Sequence, residues 1–95
     1  MSAIQIVRFR LKAEVGEREF LAVNEQFQRE SMSTLPGLER REACRSADGE
    51  WTLVLRYRDL ASAKTQSPPT EVGKRIVEMI DKKTMSASFH EVVSQ

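Results

Sequence analysis

The feature that most limits the possible folds is a nine-residue segment, 50–58, in which every second side chain is large and apolar. One side of this extended chain carries Trp51, Leu53, Leu55 and Tyr57, and the other carries Thr52, Val54, Arg56 and Arg58. A period of two, rich in aromatic and β-branched residues, predicts a β-strand with one side in the core. Residues 4–12 repeat the pattern, with Val7, Phe9 and Leu11 on one side.

The segments around these two strands predict a helix and a hairpin. Residues 16–33 place Phe20, Val23 and Phe27 at helical spacing, and Leu35-Pro36-Gly37 follows as a helix breaker. A moderately polar strand is predicted over residues 38–46. Asp48-Gly49 then predicts a tight turn, because both residues tolerate a positive φ.

The C-terminal part predicts a broken helix and a last strand. Asp59 is placed to cap a short helix that runs to Lys64, and residues 67–70, with two prolines, interrupt it. A further helix is predicted up to about Asp81, because Val72, Ile76, Met79 and Ile80 form one apolar stripe. Lys82 and Lys83 would then suit its C-terminus. Residues 86–93 predict the final strand.

The resulting order, β-α-β-β-α-β, predicts an α+β fold of the ferredoxin-like type. This sandwich has a four-stranded antiparallel sheet with helices on one face, and the first and third strands form its centre. We expect residues 1–95 to make a single domain. A domain of 95 residues buries a thin core, so oligomerisation would enlarge it.

Composition excludes several classes of function. The formal net charge of +1 gives no field that would attract nucleic acid or an anionic membrane, and no run approaches the ~18 apolar residues of a membrane span. One His and one Cys are too few for a Cys/His zinc site, and the glycines form no nucleotide-binding fingerprint. The lone thiol, Cys44, favours a cytoplasmic location. We expect no cofactor, nucleic acid or membrane partner.

The sheet face away from the helices is half apolar and half cationic. It is predicted to carry Ile4, Ile6, Thr52, Val54, Arg8, Arg10, Arg56 and Arg58. Such a face is solvated, binds RNA or packs on another sheet. The central aromatic residues fall on the helix side and no RNP motif occurs, which argues against RNA. Packing on a second copy is favoured, with the arginines paired to acidic groups such as Glu39, Glu42 or Glu91.

Several short motifs occur in an order typical of one family. They are Leu35-Pro36-Gly37-Leu38, Ser46-Ala47-Asp48-Gly49-Glu50-Trp51, Arg56-Tyr57-Arg58-Asp59-Leu60-Ala61-Ser62-Ala63 and the terminal His90-Glu91-Val92-Val93. Over roughly residues 4–93 the chain resembles the antibiotic biosynthesis monooxygenase-like branch of the dimeric α/β-barrel superfamily. The resemblance implies a homodimer whose sheets pack into a barrel, with a pocket in each subunit between sheet and helices.

Members of that branch differ in activity. Some oxidise aromatic polyketides with O₂ and neither metal nor flavin, and others degrade haem. The haem-degrading members use an asparagine on the first strand, where this chain has Gln5, and a haem-ligating histidine on a helix, whereas His90 lies on the last strand. The resemblance therefore favours a cofactor-independent monooxygenase-like protein that acts on or binds a small aromatic compound. The alternative is a non-catalytic ligand-binding or structural homodimer.

Four residues are candidates for the catalytic site, each with a structural alternative. Asn24 lies on the buried stripe of the first helix, where its amide would bind a ligand or the backbone. Trp51 would form a pocket wall or pack in the core, and the Tyr57 hydroxyl would bind substrate or reach solvent. His90 is the default proton acceptor, but its alternation with Phe89 places it on the face of the second copy.

Two further positions are predicted to be inert. Cys44 has no neighbouring base in sequence that would support a nucleophile. The Arg40-Arg41 pair is flanked by Glu39 and Glu42, which is the pattern of a solvated strand surface.

Overall fold

The computed structural model describes residues 1–65 and 70–95, and these form one four-stranded antiparallel sheet with helices on one face. The elements in chain order are β1 (Ala3–Leu11), α1 (Glu17–Thr34), β2 (Leu38–Arg45), β3 (Trp51–Tyr57), α2 (Leu60–Lys64), α3 (Glu71–Met79) and β4 (Ile80–Glu91). The sheet order is β2-β3-β1-β4, so the first and third strands are central as predicted. The predicted α+β ferredoxin-like class is confirmed.

The helix-facing side of the sheet is the core. The side chains of this core form rows that cross the strands, because each residue of β3 opposes a defined partner on β1 and β2. Phe9 opposes Trp51 at one end of the central pair, and Ala3 opposes Tyr57 at the other. The buried side chains of β3 alternate as the sequence predicts, and they pack against Phe20 and Val23 of α1 and Ile76 of α3.

The helix ends follow the predicted local chemistry. The chain leaves α1 through Gly37, whose φ of 75° lies in the left-handed region that favours glycine. The Asp59 carboxylate accepts a hydrogen bond from the Ser62 backbone N–H, and Thr70 caps α3 in the same way. The predicted interruption between α2 and α3 falls mostly on residues 66–69, which lie outside the described residues. In the hairpin only Gly49 adopts a positive φ, so a turn with two such residues is not formed.

The prediction of a helix up to Asp81 and a strand from residue 86 was wrong. α3 ends at Met79, and β4 begins at once with Ile80. Ile80 opposes Leu11 and is buried, and the Lys12 backbone N–H donates to the Met79 carbonyl. Ile80, the last residue of the predicted apolar stripe, is therefore the buried first residue of β4. Lys82 and Lys83 lie in β4, so they do not close a helix.

An irregularity in β2 overturns the prediction of a solvated Arg40-Arg41 pair. The register shifts between Leu38 and Arg40, so that Leu38 opposes Tyr57 and Arg41 opposes Leu55. This bulge changes the alternation and turns Arg41, together with Leu38, towards the helices. Arg41 is only 2% exposed, whereas Arg40 is exposed and forms an ion pair with Glu42. Outside residues 66–69, no helix is long and apolar enough to cross a membrane.

Candidate functional site

The structure divides the four predicted site residues between the two faces of the sheet. Asn24, Trp51 and Tyr57 lie on the helix side and are all buried. His90 opposes Ile4 on the other face, where it is exposed and its Nε2 lies 2.8 Å from the Ser88 hydroxyl. His90 therefore does not meet the other three within one chain, as its alternation with Phe89 predicts.

The Trp51 end of the sheet is filled by aromatic packing. The Trp51 ring centroid lies 4.8 Å from that of Phe20, and the Phe20 centroid lies 5.8 Å from that of Phe9 in an edge-on arrangement. Both phenylalanines are fully buried. These contacts correspond to the core-packing alternative for Trp51, because the ring is already surrounded by side chains of the same subunit.

Trp51 and Tyr57 are also too far apart to act on one small molecule. They are the first and last residues of β3, and a strand rises about 3.3 Å per residue, so their Cα atoms are separated by roughly 20 Å. Asn24 lies one helical turn after Phe20 and one turn before Gln28, so it is between the two ends. Any compact site must therefore form at one end of the sheet, and the polar groups gather at the Tyr57 end.

Arg41 is the central group of that polar end. Its Nη1 donates to the Gln28 Oε1 at 3.2 Å, and its guanidinium carbon lies 5.1 Å from the centre of the Phe27 ring. The Nε and Nη2 atoms are closed to solvent and have no hydrogen-bond partner among the described residues. No carboxylate in that part of the chain lies within salt-bridge distance of Arg41. A buried guanidinium without a counter-ion is unusual, because burying an unpaired charge is costly.

The environment of Arg41 changes its proton affinity and that of Tyr57. Burial lowers the pKa of Arg41 to about 10, and nearby Tyr57 opposes part of this shift. Burial also raises the pKa of the Tyr57 phenol, while the positive charge of Arg41 counteracts that increase. The two side chains share the helix-facing side of neighbouring strands on a diagonal, since Arg41 opposes Leu55 and Tyr57 follows two residues later. The charge of each side chain therefore affects the pKa of the other.

Asn24 adds an acceptor to the core between its Trp51 end and its Tyr57 end. Its side chain is 7% exposed, and its Oδ1 has no hydrogen-bond partner in the described part of the chain. Gln28 follows it by four residues, which is about 6 Å along the helix axis and on the same side. Asn24, Gln28, Arg41 and Tyr57 are therefore buried or half-buried polar residues between α1 and the sheet. We call these four the Arg41 cluster.

The open face of the sheet has the mixed character that the sequence predicts. Ile4, Ile6 and Val54 are partly exposed on it. The Arg56 Nε lies 3.7 Å from the Glu39 carboxylate, and Glu42 pairs with Arg40, so two of the predicted acidic partners are used within one subunit. A hollow of about 160 Å³ on this face is lined by Ile4, Arg40, Glu42, Val54 and Arg56.

A larger groove lies elsewhere. Its volume is about 350 Å³, and it runs along the exposed side of α3, where it is lined by Gly73, Lys74, Val77, Glu78 and Lys82. Neither this groove nor the hollow on the open face is lined by Asn24, Trp51 or Tyr57. Residues 1–65 and 70–95 contain no group of three or more His, Cys, Asp or Glu side chains placed to hold a metal ion.

Sequence reasoning missed Arg41 and Gln28. Two arginines between two glutamates have the composition of a solvated surface, and only the bulge reveals which arginine is buried. The sequence did contain one signal, Leu38, which lies three positions before Arg41. In a regular strand, residues three apart face opposite sides, so Leu38 and Arg41 share a face only if the alternation breaks between them. For Gln28, the signal was its spacing of four residues from Asn24.

No family model matches the sequence, and neither does any curated protein sequence. Solved structures do match. SnoaB, a cofactor-independent oxygenase from Streptomyces nogalater, is similar with a TM-score of 0.75 at 13% identity, over 99% of this chain and 95% of that one. A Bordetella bronchiseptica protein proposed to be an antibiotic biosynthesis monooxygenase has a TM-score of 0.79 at 16% identity, over 98% of each chain.

A third structure is a dimeric protein of unknown function and ferredoxin-like fold from Bacteroides fragilis. It has a TM-score of 0.68 at 18% identity and covers 96% of each chain. The similarities confirm the predicted likeness to antibiotic biosynthesis monooxygenase domains. At these identities they show a shared fold over nearly the whole chain, and they do not assign an activity to it.

Proposed function

We propose that this protein is a cofactor-independent monooxygenase-like protein that acts on or binds a small aromatic compound between the sheet and the helices. The observation that carries the proposal is a cluster of buried polar groups within a fold that SnoaB, a cofactor-independent oxygenase, also has. A buried amide or guanidinium without a partner is costly to keep. Buried polar groups with shifted pKa values occur most often at catalytic and ligand-binding sites.

The chemistry proposed for the site requires an acidic aromatic substrate. Such a substrate loses a proton to solvent to become an electron-rich anion, and the anion itself donates one electron to O₂, which is reduced to superoxide. Asn24 and Tyr57 offer hydrogen bonds to the substrate oxygens, and the positive charge of Arg41 favours the anionic form. Trp51 packs against Phe20 at the other end of the core, so it supports the fold around this site and does not touch the substrate.

Oxygen uptake with hydroquinone- and anthrone-type substrates tests the activity. We expect uptake above the buffer rate, and we expect Asn24→Ala to reduce it more than Trp51→Phe, because only the first removes a polar group from the Arg41 cluster. Arg29→Ala is a matched control, since Arg29 is exposed on α1 and forms its ion pair with Glu25 on the surface of that helix. An absence of turnover with every substrate, for the wild type and both variants alike, contradicts catalysis.

We propose further that two copies pack through the open sheet face, and that the protein acts in the cytoplasm. Support for the dimer comes from the partly exposed Ile4, Ile6 and Val54 and from the Bacteroides fragilis protein, which is described as dimeric. In the dimer, His90 would lie near the second subunit. Light scattering tests the assembly, and a monomer at micromolar concentration contradicts it.

The second candidate is a non-catalytic ligand-binding or structural homodimer of the same fold. The packing of Trp51 against Phe20 and Phe9 favours it, because those side chains already fill one end of the core. The two candidates differ in turnover, and both are compatible with binding at the Arg41 cluster.

A further inference from the structure

The hydrogen-bonding pattern of Arg41 indicates which ligand it is suited to bind. Of its three nitrogens, Nη1 is used by Gln28, whereas Nε and Nη2 have no partner within residues 1–65 and 70–95. The Nε–H and one Nη2–H point in parallel from the same edge of the guanidinium. That edge can donate two parallel hydrogen bonds, and the spacing of its two N–H groups matches the two oxygens of a carboxylate.

The surroundings of Arg41 hold this edge in place. The guanidinium carbon lies over the Phe27 ring, 5.1 Å from its centre, and Gln28 accepts a hydrogen bond from Nη1. On the sheet, Arg41 opposes Leu55, whose apolar side chain is buried. A guanidinium that is held by an aromatic contact and a hydrogen bond loses little conformational freedom when a ligand binds.

We propose that Arg41 binds the carboxylate of a small aromatic acid through Nε and Nη2. The inference rests on the proposed function for the position of the ligand, and it does not depend on whether that ligand is oxidised. Asn24 supplies the second contact, because its Oδ1 is buried without a partner one helical turn from Gln28 and accepts a hydrogen bond from a ligand hydroxyl. The ligand class is therefore a hydroxylated aromatic monocarboxylate.

The charge of the site favours a monoanion. Arg41 is the only buried cation among the described residues, so one carboxylate neutralises it fully. A phosphate dianion would leave an uncompensated negative charge in the core. Phe27 and Leu55 provide apolar surface for an aromatic ring. The Nε and Nη2 atoms are closed to solvent, so binding requires the partly buried side chains of Phe27 and Gln28 to move aside.

Calorimetric titration of the 95-residue chain tests the proposal. The probes are benzoate and 4-hydroxybenzoate, with benzamide as the neutral isostere and inorganic phosphate as the competing anion. We expect both carboxylates to bind, the hydroxylated one more tightly, and benzamide and phosphate to bind at least tenfold more weakly. Arg41→Met should weaken carboxylate binding by roughly tenfold to a hundredfold, which is the range for a charge-assisted hydrogen-bonded pair.

Two further variants separate the donor geometry from the charge. Arg41→Lys keeps the charge and removes the paired donors, so we expect a loss of affinity close to that of Arg41→Met. Asn24→Ala should reduce the preference for 4-hydroxybenzoate over benzoate. Arg29→Met removes an exposed arginine of α1 and should leave all affinities unchanged.

Three outcomes overturn the proposal. They are an absence of carboxylate binding to the wild type, equal affinity of the wild type and Arg41→Met, and tighter binding of phosphate or benzamide than of benzoate. Oxygen uptake is measured on the same samples. If carboxylates bind but no oxygen is consumed, the monooxygenase proposal fails and the binding site stands. If carboxylates do not bind and oxygen uptake is unchanged in Arg41→Met, the binding site fails and the activity stands.

Discussion

Replacing Arg41 by methionine should make the protein more stable, because Arg41 is a charge buried without a counter-ion. The pKa of Arg41 falls to about 10, which is roughly 2.5 pKa units below its ordinary value. At about 1.36 kcal/mol for each pKa unit, burial disfavours the charged form by about 3 kcal/mol. Methionine removes this cost, fills a similar volume and gives up the hydrogen bond to Gln28, worth about 1 kcal/mol. We expect a net gain of about 1–3 kcal/mol in the free energy of unfolding.

Urea denaturation measures this gain. Trp51 is the only tryptophan of the chain and lies in the core, so its fluorescence reports global unfolding. Wild type and Arg41→Met are compared at equal protein concentration, because assembly would also affect stability. Arg29→Met is the control and should change the free energy by less than about 0.5 kcal/mol. A loss of about 1 kcal/mol or more in Arg41→Met would refute the reasoning, since it would show that the guanidinium stabilises the fold.

Three further predictions concern the core and its ends. Tyr57 is the only tyrosine, so a near-UV titration reports its phenol alone. We expect a midpoint above the ordinary pKa and a still higher midpoint in Arg41→Met. A midpoint that is the same in both proteins would contradict the electrostatic coupling of Tyr57 to Arg41. In Arg41→Met, where no buried guanidinium titrates, stability measured at successive pH values should fall above pH ~10, because the Tyr57 phenol stays neutral to higher pH in the folded state than in the unfolded chain. In the wild type, the lowered pKa of Arg41 opposes this loss. Phe20→Ala should cost about 3–5 kcal/mol in urea, and a cost below about 1 kcal/mol would contradict the packed Trp51 end. Gly37→Ala should cost about 1–3 kcal/mol, because a Cβ there would lie 2.7 Å from the Ser62 Cβ at a positive φ, and wild-type stability would contradict the turn.

The fold was predictable because its strongest signals are periodic and local. The alternation in β1 and β3 identifies the central strands, and the helical spacing of Phe20, Val23 and Phe27 identifies α1. Asp59 and Gly37 mark ends whose chemistry depends on a few neighbouring residues. These signals need no knowledge of distant contacts, so the sequence alone predicts the element order and the core-facing side of β3.

The boundary between α3 and β4 was not predictable in the same way. Ile80 continues the apolar stripe of the helix, and the two lysines after it suit a helix end as well as a strand. What begins β4 there is its pairing with β1, in which Ile80 opposes Leu11. That pairing joins residues about 70 positions apart in the sequence, and no local pattern records it.

The candidate site was only partly predictable for a related reason. Asn24 was found because a polar residue interrupts an apolar helical stripe. Arg41 was missed because its burial depends on the bulge after Leu38, which reverses the alternation of β2. The separation of Trp51 from Tyr57 was implicit in the sequence, since both belong to one strand, yet their shared face suggested a single pocket.

Nuclear magnetic resonance of the Arg41 Nε–H group tests the central claim most directly. The peak is assigned as the one that is missing from the spectrum of Arg41→Met, and benzoate is then added to the wild type. The account predicts that this signal shifts progressively with benzoate and not with benzamide, while the Nε–H signals of exposed arginines such as Arg29 stay in place. An Arg41 signal that does not move while benzoate shifts other arginines would contradict the account.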